Sequence, residues 1–591
     1  MALIDKASLL MVPSVYEDGT LYNVLPSGNK APDETGNHNG YDQTRADFTF
    51  SRGSNLAATR VNANGLIEKG RENLLLQSNQ FDTTWGNANS SETSGQADKD
   101  GGTNAWKIDI SGAGGRIYQS VSQSGVSTYS IYAKAGSLNW IILSSNIVDA
   151  SFDLSNGVKG TLVGGISSSI ESVGGGWYRC SASLNGSLTQ VRVYPSNADN
   201  DFTSTSGNIY IQDAQLEAGL VATPYIETGA TTATAGVLEN TPRIDYSSGA
   251  GALLLEPQRT NSIAHSEYFS AWNLSGGTLT ANATTSPEGV ENAYLYTEDT
   301  STNYHRLNIG ASATNSNKVY SVYAKWAGGT GNKWLTIDNG PTAWFDIENG
   351  VKGNASGSVQ TSIEPVGNGW YRCIYYNPVS TTGGIYVGIA SSNGGAGNHI
   401  GSGQPAFYVY GAQCEDNVTY VSSYVPTYGS AATRGADSCS VTGASDVIGQ
   451  TEGTLYYDWI MNHESPNTSE DLYTLTLSDG SGNKMIAINN YNNILAVFII
   501  DTTTQFSDNS YTGGADGARI KLALAYANND IALYINGTQI ATDSSATIPT
   551  LNQVRLNAFW SGGAQDNTSV KQLALFNERL SNTELATLTT L

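Results

Sequence analysis

Short runs in which apolar and polar residues alternate recur along most of the chain. In the first half, the runs at 177–184, 191–194 and 208–212 alternate with period two, and clusters of Gly, Asn and Ser separate them. Alternation of this kind places every second side chain on the same face of a β-strand. No long segment shows helical periodicity, so strands roughly ten residues apart predict antiparallel β-sandwiches and an all-β fold.

Beyond about residue 428 the apolar runs become longer. Asn536-Gly537 lies between two of them and favours a type I′ hairpin turn, because both central residues of that turn need positive φ. Ser581 and Glu584 have the spacing of a capping box, which predicts a short terminal helix reaching Leu588. The pattern predicts a third β-sandwich, with strands at 454–460, 472–477, 484–488, 494–500, 520–526 and 531–535.

Part of the sequence occurs twice. Two modules share three blocks in the same order, about 191 to 193 residues apart: 129–134 with 320–325, 152–160 with 345–353, and 176–180 with 369–373. A period this long excludes a solenoid and indicates a duplicated domain. The chain then divides into an N-terminal arm (1–70), a first module (71–228), a linker (229–257), a second module (258–428) and a C-terminal domain (429–591).

The N-terminal arm differs from both modules. It holds scattered apolar residues, a turn-rich stretch from Pro26 to Tyr41, and a short strand-like run at 47–52. That is too little apolar material for a core of its own. We expect the arm to become ordered against a partner, either another subunit or a larger particle.

The composition narrows the choice of partners. Of 591 residues only 14% are charged, and the net charge is −23. An acidic surface repels nucleic acid and anionic membranes, whereas a neutral polymer such as a glycan remains compatible. The longest apolar run, 494–500, is far shorter than the ~20 residues of a membrane helix. The start of the chain lacks the long apolar run of a signal peptide, so we expect no secretion signal.

The four cysteines show no zinc-like spacing. Cys180 and Cys373 occupy equivalent positions in the two modules, and Cys414 falls where the first module has Leu216. This favours buried thiols that behave as small apolar residues. A disulfide between Cys373 and Cys414 is the alternative.

The two modules open in the same way. Each has an Arg-x-Asn motif followed by Ser, Phe and Trp at similar distances: Arg71, Asn73, Ser78, Phe81 and Trp85 in the first, and Arg259, Asn261, Ser266, Phe269 and Trp272 in the second. These openings, with the Tyr-Ala-Lys and Gly-Trp-Tyr-Arg blocks, resemble those of phage head-spike and tail-fibre domains. Such domains are similar to galactose-binding-like carbohydrate-binding modules. The resemblance implies two tandem jelly-roll sandwiches in a virion appendage.

The C-terminal domain resembles a laminin-G or concanavalin-like jelly roll. The resemblance rests on the runs 521–526, 532–537 and 573–576, with Arg579 and Glu584 after them. This fold hosts lectins, enzymes and spacers alike, so it implies an architecture and leaves the function open.

Aromatic residues divide into shared and unshared ones. Those present in both modules are expected to pack in the cores: Trp85/Trp272, Trp106/Tyr294, Trp140/Trp334 and Trp177/Trp370. Trp326 and Trp344 have no aromatic counterpart in the first module, which makes them candidates for stacking on a sugar. Tyr491 and Trp560 are the corresponding candidates in the C-terminal domain. Trp459, on an alternating strand, is expected to be half-buried. For each candidate, an aromatic without a glycan is the alternative.

Polar residues indicate a metal-binding or catalytic site less clearly than the aromatic residues indicate a glycan site. The loop with Asp199 and Asp201 could bind a structural calcium ion, but it lacks the full EF-hand spacing, and an ordinary turn is the alternative. The five histidines are scattered, without a metalloprotease or triad-like pattern. Asp153/Asp346 and Glu217/Glu415 are repeated, but within blocks that both modules share. We therefore expect no enzymatic activity.

These observations and the resemblance predict a non-enzymatic phage virion appendage, a head-spike or tail fibre. We expect it to be made in the host cytoplasm and to end on the particle surface. Its arm would bind capsid or tail proteins, and its modules would adhere to host-surface glycans as a homo-oligomer, a trimer by analogy with other fibres. The alternatives are a capsid-decorating or spacer protein without sugar binding, and a polysaccharide depolymerase.

Overall fold

In the computed structural model, the described residues are 6–15, 23–24, 48–54, 56–310, 316–328, 332–382, 384–462 and 472–591. Within them the chain forms 47 β-strands, one α-helix and short 3₁₀ turns. The predicted all-β fold is therefore confirmed. In the same part of the chain, no helix is long and apolar enough to cross a membrane.

The strands fall into five groups along the chain. The arm holds β1 (Leu9–Met11), β2 (Asn23–Val24), β3 (Thr49–Ser51), β4 (Thr59–Val61) and β5 (Ile67–Asn73). The first module holds β6 (Gly86–Ala88), β7 (Ser90–Gln96), β8 (Ala105–Ile110), β9 (Arg116–Gln123), β10 (Val126–Ala135), β11 (Trp140–Ser145), β12 (Asp149–Asp153), β13 (Val158–Val163), β14 (Ser167–Gly174), β15 (Trp177–Asn185), β16 (Leu188–Ser196) and β17 (Gly207–Ala218). The linker holds β18 (Ala233–Gly236), β19 (Ile244–Asp245) and β20 (Ala252–Leu255).

The remaining strands belong to the second module and the C-terminal domain. The second module holds β21 (Arg259–Asn261), β22 (Asn273–Ser275), β23 (Gly277–Thr284), β24 (Ala293–Glu298), β25 (Thr302–Tyr304), β26 (Arg306–Ile309), β27 (Ser316–Trp326), β28 (Trp334–Asp338), β29 (Thr342–Asp346), β30 (Val351–Ala355), β31 (Gln360–Pro365), β32 (Trp370–Thr381), β33 (Ile385–Ala390), β34 (Asn398–Ile400) and β35 (Pro405–Asp416). The C-terminal domain holds β36 (Ala432–Arg434), β37 (Ser438–Thr442), β38 (Glu452–Met461), β39 (Leu472–Ser478), β40 (Lys484–Tyr491), β41 (Ile494–Asp501), β42 (Thr503–Tyr511), β43 (Arg519–Ala527), β44 (Asp530–Ile535), β45 (Thr538–Asp543), β46 (Gln553–Leu556), β47 (Thr568–Phe576) and α1 (Asn582–Thr589).

Both modules are sandwiches of two six-stranded antiparallel sheets with the same strand order. In the first module the sheets run β14-β15-β10-β17-β8-β7 and β13-β12-β11-β16-β9-β6. In the second they run β31-β32-β27-β35-β24-β23 and β30-β29-β28-β33-β26-β22. The register also repeats, since Lys134 lies opposite Trp177 and Lys325 opposite Trp370. The duplication seen in the sequence is therefore a duplication of the fold.

The apolar face of each alternating strand lines a core between the two sheets. Three of the four shared aromatic pairs are buried, as expected. Trp140 and Trp334 are only half-buried. Each ring covers a glycine of the shared Val-Lys-Gly block, where an added Cβ at Gly160 or Gly353 would lie 2.6 or 2.7 Å from the indole. These two tryptophans pack against the edge strands β13 and β30, which carry those glycines, rather than in the core.

The C-terminal domain contains all six strands that the alternation predicts. Asn536 and Gly537 join β44 to β45 with φ values of 48° and 82°, which suits a type I′ turn. The helix α1 begins with the predicted capping box, because Ser581 and Glu584 each bond the other's backbone N–H.

The described strands of the arm pair within the same chain. β1 lies antiparallel to β47, and β3 lies antiparallel to β37, so both arm strands extend the sheets of the C-terminal domain. From the linker, β20 also pairs with β47. Leu9 and Phe50 are buried in the core of that domain. These strands therefore do not need another subunit or particle to become ordered, because the C-terminal domain supplies the apolar surface that the arm lacks.

A buried charge network joins arm, linker and C-terminal domain. Arg52 and Arg243 both donate to Asp437, while Arg243 and Arg434 contact Glu256 at 2.8 and 2.9 Å. All five residues are at most 4% exposed. Burial raises the pKa of Glu256, but Arg434 and Arg243 outweigh it and hold that pKa well below its ordinary value. Burial lowers the pKa of Arg52 to about 10, which leaves it charged at neutral pH.

The four cysteines are buried and free. The interpretation as small apolar residues is therefore confirmed, and the alternative disulfide between Cys373 and Cys414 is not formed. Burial raises the pKa of the Cys414 thiol to about 12, so the thiolate, which is the reactive form, is disfavoured at neutral pH.

Candidate functional site

A cleft of about 1120 Å³ opens between the second module, the arm, the linker and the C-terminal domain. Its walls carry amides, hydroxyls, carboxylates and tyrosine rings. The tyrosines that line it are Tyr323, Tyr376, Tyr420 and Tyr424. A concave surface with convergent polar groups beside aromatic rings is the usual setting for a small ligand or a sugar unit.

One wall of the cleft is a face of the strand pair β31 and β32. Gln360, Ser362 and Glu364 lie two residues apart on β31, so their side chains project from the same face. Across the strands, Gln360 is opposite Tyr376, and Glu364 is opposite Arg372. An aromatic ring, an amide and a hydroxyl therefore lie on this wall, together with a carboxylate and a guanidinium on facing positions.

Arg372 is the buried anchor of that wall. Its Nε and Nη2 donate to Ser321 Oγ at 3.3 and 3.1 Å, and its guanidinium carbon lies 5.4 Å from the ring centre of Tyr323. The side chain is 7% exposed. These contacts fix a positive charge beside the exposed Glu364 carboxylate.

The aromatic and amide groups of this wall are features of the second module. By register, Gln360 and Tyr376 pair just as Ser167 and Ser183 do in the first module. Ser183 is buried, donates to the carbonyl of Leu220 and bonds to another hydroxyl. The sandwich therefore forms with small residues at these positions, and the larger groups that face the cleft are not required by the fold.

The opposite wall comes from the C-terminal domain. The turn between β40 and β41 contains Asn492 and Asn493, with φ values of 51° and 62°. Both residues line the cleft, and Asn492 Oδ1 accepts no hydrogen bond from the described residues. Tyr491, a predicted glycan contact, directly precedes them and is 39% exposed. The structure therefore places Tyr491 at the end of the cleft-lining turn.

The floor of the cleft is held by the buried charge network. Arg243 and Arg434 each place an Nη1 atom 2.8 Å from Ser423 Oγ, which donates to Glu256 at 2.6 Å. Ser423 itself lines the cleft. A ligand would therefore meet a floor whose side chains are already fixed.

The other predicted aromatics are dispersed. Trp326 and Trp344 lie on different sheets of the second module, and Trp326 packs against its core. Trp344 donates its indole N–H to the carbonyl of Gly395 at 3.1 Å. Trp560 belongs to a small cluster on the outer side of the C-terminal domain, and Trp459 is fully buried rather than half-buried. Glycan binding by Trp326, Trp344, Tyr491 and Trp560 stays a prediction.

The two predicted calcium ligands accept hydrogen bonds from threonines, Asp199 from β13 and Asp201 within its own turn. Asp199 accepts from Thr161 N–H and Oγ1, both at 2.8 Å. Asp201 accepts from Thr203 N–H at 2.9 Å and Oγ1 at 2.6 Å, and these bonds hold its pKa below the ordinary value. Calcium binding here stays a prediction.

The repeated carboxylates also have structural partners. Asp153 and Asp346 each accept hydrogen bonds within the turn that follows them. Glu217 and Glu415 are buried and accept from Thr223 and Ser422, respectively. Their repetition follows from the shared fold of the two modules.

One group with metal-binding chemistry was not apparent from the sequence. Glu298, His305 and His399 each offer a ligand atom, and these atoms lie within 4.8 Å of one another at one end of the second module. The two histidines are far apart in sequence and in no recognised motif. The available signal was the loop before β35, which is longer than the equivalent loop before β17 in the first module.

No protein-family model matches the sequence, and no similar protein of curated function was found. Among solved structures, the Ruminococcus gnavus IT-sialidase CBM40 is 20% identical, with 25% of this chain and 86% of that chain covered and a TM-score of 0.22. A structure of botulinum neurotoxin type C is 14% identical over 26% of this chain and 40% of that one, also at 0.22. The NanB sialidase from Streptococcus pneumoniae is 17% identical over 26% of each chain, at 0.22. At such scores these matches carry no inference about ligand or activity.

Proposed function

We propose that the protein is a phage virion appendage, a head-spike or tail fibre, that adheres to host-surface glycans without cleaving them. The observation that supports binding most directly is the cleft wall, where Tyr376 stands beside Gln360, Ser362 and Glu364. An aromatic ring suits the apolar C–H face of a sugar, and amide and carboxylate groups suit its hydroxyls. Because the first module has serines in place of Gln360 and Tyr376, these groups are free to serve a ligand.

The proposed mechanism is adhesion by many weak contacts. A polar cleft of this kind suits a modest single-site affinity, and several copies on one particle would act together. Linked sites raise the effective concentration, so avidity can exceed single-site affinity by about 10² to 10⁴. The acidic net charge of −23 is compatible with a neutral glycan.

The first experiment is a glycan array with the full chain, followed by calorimetry on any glycan bound. Tyr376→Ser restores the residue of the first module, and we expect it to weaken binding about tenfold or more, the scale of losing an aromatic anchor. Glu364→Gln tests the carboxylate. Glu171→Gln is its matched control, because Glu171 has the same register position in the first module, opposite Arg179. No binding by the wild-type chain favours the spacer, and equal loss in both glutamine variants contradicts a site in this cleft.

A polysaccharide depolymerase is the second candidate, because Glu364 and Asp516 line the same cleft from the second module and the C-terminal domain. A glycosidase needs two carboxylates that face each other across a sugar. Release of reducing ends from capsule, abolished by both Glu364→Gln and Asp516→Asn, would favour the depolymerase over simple adhesion.

The virion location needs its own test. Gold-labelled antibody against the C-terminal domain should mark fibres on intact particles in electron micrographs, and light scattering on the purified chain should give the mass of a trimer. Label that is absent from particles would contradict the appendage, whatever the glycan array shows.

A further inference from the structure

Glu298, His305 and His399 form a compact group at one end of the second module. Glu298 ends β24, His305 directly precedes β26, and His399 lies on β34, which pairs with β25. Glu298 and His305 are 2% and 1% exposed, while His399 is half-buried. The group is therefore shielded from bulk water but can be reached from the His399 side.

The surroundings of His305 favour a proton on its Nδ1 atom. Its Nδ1 lies 2.6 Å from the carbonyl oxygen of Gly276, so Nδ1–H donates there. Its Nε2 lies 3.1 Å from the carbonyl oxygen of His399. In the neutral ring, Nε2 would then carry a lone pair that faces a lone pair of this carbonyl oxygen, with no hydrogen between them.

His399 is arranged in the same way. Its Nδ1 lies 3.2 Å from the carbonyl oxygen of Gly397, and its Nε2 lies 2.8 Å from Glu298 Oε1. If Nδ1 carries the proton, Nε2 has only a lone pair, and this lone pair again faces an oxygen acceptor. The two imidazole ring centres are 4.6 Å apart. Two ring nitrogens and two oxygens therefore converge on one small region.

The other carboxylate oxygen of Glu298 is held in place by Ser402. Its Oε2 accepts from the backbone N–H of Ser402 at 3.3 Å. Ser402 Oγ donates to Glu298 Oε2 at 2.5 Å. Backbone carbonyls bound to the distal histidine nitrogens, and a hydroxyl bound to the carboxylate, are the outer partners that orient metal ligands in proteins.

Asn332 can add a fourth ligand to Glu298, His305 and His399. Its Nδ2 lies 3.1 to 3.2 Å from both Glu298 oxygens and 3.1 Å from His399 Nε2. A half-turn of the amide exchanges Nδ2 for Oδ1 at nearly the same place. That exchange would offer an oxygen as a fourth ligand.

The duplicated module serves as an internal control. In the first module, Ile110 ends β8 where Glu298 ends β24, and Gly115 directly precedes β9 where His305 precedes β26. The first module has no described counterpart of the β25–β34 pair that carries His399. The sandwich fold therefore does not require this group, which occurs in the second module alone of the two.

We propose that the second module binds one divalent transition-metal ion, zinc by preference, through His305 Nε2, His399 Nε2 and a carboxylate oxygen of Glu298. Two imidazoles and a carboxylate suit zinc far better than calcium. At zinc–ligand distances of about 2.0–2.2 Å, tetrahedral ligand atoms lie ~3.3 Å apart, so ligands now within 4.8 Å need only close inward. The ion would fasten the β25–β34 pair to the sandwich.

The test uses the full chain without a histidine tag, stripped with a chelator and titrated with zinc chloride in a calorimeter. We expect one ion per chain, and a higher Tm with zinc than with chelator. His399→Ala and Glu298→Gln should each weaken binding at least tenfold, since even an outer-shell change costs ~10- to 100-fold. His265→Ala is the matched control, because His265 lies outside the group, and it should bind as the wild type does.

Zinc binding that is absent, or that falls equally in His265→Ala, overturns the proposal and leaves a cluster held by hydrogen bonds alone. If the two ligand variants fail to fold, cobalt(II) added to the wild type decides the matter. One equivalent should give the visible absorption of a four-coordinate ion, which zinc then displaces. A spectrum of free aqueous cobalt would equally overturn it.

Discussion

Asp437 is the residue at which three segments of the chain meet. Its carboxylate accepts hydrogen bonds from Arg52 of the arm, from Arg243 of the linker and from the backbone N–H of Glu256. Asp437 and Arg243 are both fully buried, and Arg52 is 4% exposed. In Asp437→Asn, three buried guanidinium groups, including Arg434, would face only one carboxylate.

The expected cost follows from that geometry. Removing one partner of a buried ion pair costs about 3–5 kcal/mol, because the remaining charge is left uncompensated. For a domain of 150 to 250 residues, each kcal/mol lowers Tm by roughly 2–4 °C. We therefore expect Asp437→Asn to lower the Tm of the C-terminal domain by about 6 to 20 °C.

Scanning calorimetry would measure this, with Glu68→Gln as control. Glu68 pairs with Arg60 at 2.8 Å, but the two side chains are 29% and 23% exposed. Such a pair contributes about 1 kcal/mol or less. Equal effects of the two substitutions, or a Tm change below ~2 °C in Asp437→Asn, would refute the reasoning. Adding Arg52→Met to Asp437→Asn should recover part of the loss, because it removes one unpaired charge.

Two further predictions concern pH and backbone packing. Lys6 and the helix-capping serine lower the pKa of Glu584 to about 2 from an ordinary 4.5, so its contribution to stability is present above about pH 4.5 and is lost as pH falls towards 2. The Tm of Glu584→Gln should thus lie below that of the wild type at pH 7 and converge with it near pH 2; a constant gap would contradict this. At Gly125, with φ of +90°, an added Cβ would lie 1.8 Å from the carbonyl oxygen of Tyr428, whereas Gly95, with φ of +76°, has nothing within 4 Å. In urea titrations Gly95→Ala should cost only the left-handed strain of ~1–2 kcal/mol, and Gly125→Ala clearly more; equal losses would argue against close packing of Tyr428 on the first module.

Most of the fold could be predicted from local sequence patterns. The alternating strands, the Asn536-Gly537 turn and the capping box of α1 all depend on neighbouring residues, so the sequence alone was enough to predict them. The duplication could be predicted because its blocks are long and ordered. The alternation at 47–52 did predict β3. The partners of β1 and β3 could not be predicted, since they lie hundreds of positions away along the chain.

The candidate sites were harder to predict for the same reason. The cleft is lined by groups from the arm, the linker, the second module and the C-terminal domain, which only the tertiary fold brings together. Comparison of the two copies identified Trp326 and Trp344, because a tryptophan in only one copy is easy to recognise. It did not identify Tyr376, which faces the cleft. His305 and His399 meet only because two insertions in one module pair with each other.

The last sandwich is assembled from both extremities of the chain, and this constrains how it is synthesised. Lys6 bonds to Glu584, 578 positions later, and Leu9 pairs with Leu575. At translation rates of roughly 5–20 residues per second, the beginning of the protein waits about half a minute to two minutes for its partner. Both modules can fold on the ribosome meanwhile, because their six-stranded sheets use only their own strands. A nascent chain released before β47 would therefore lose the anchorage of its beginning as well as its end.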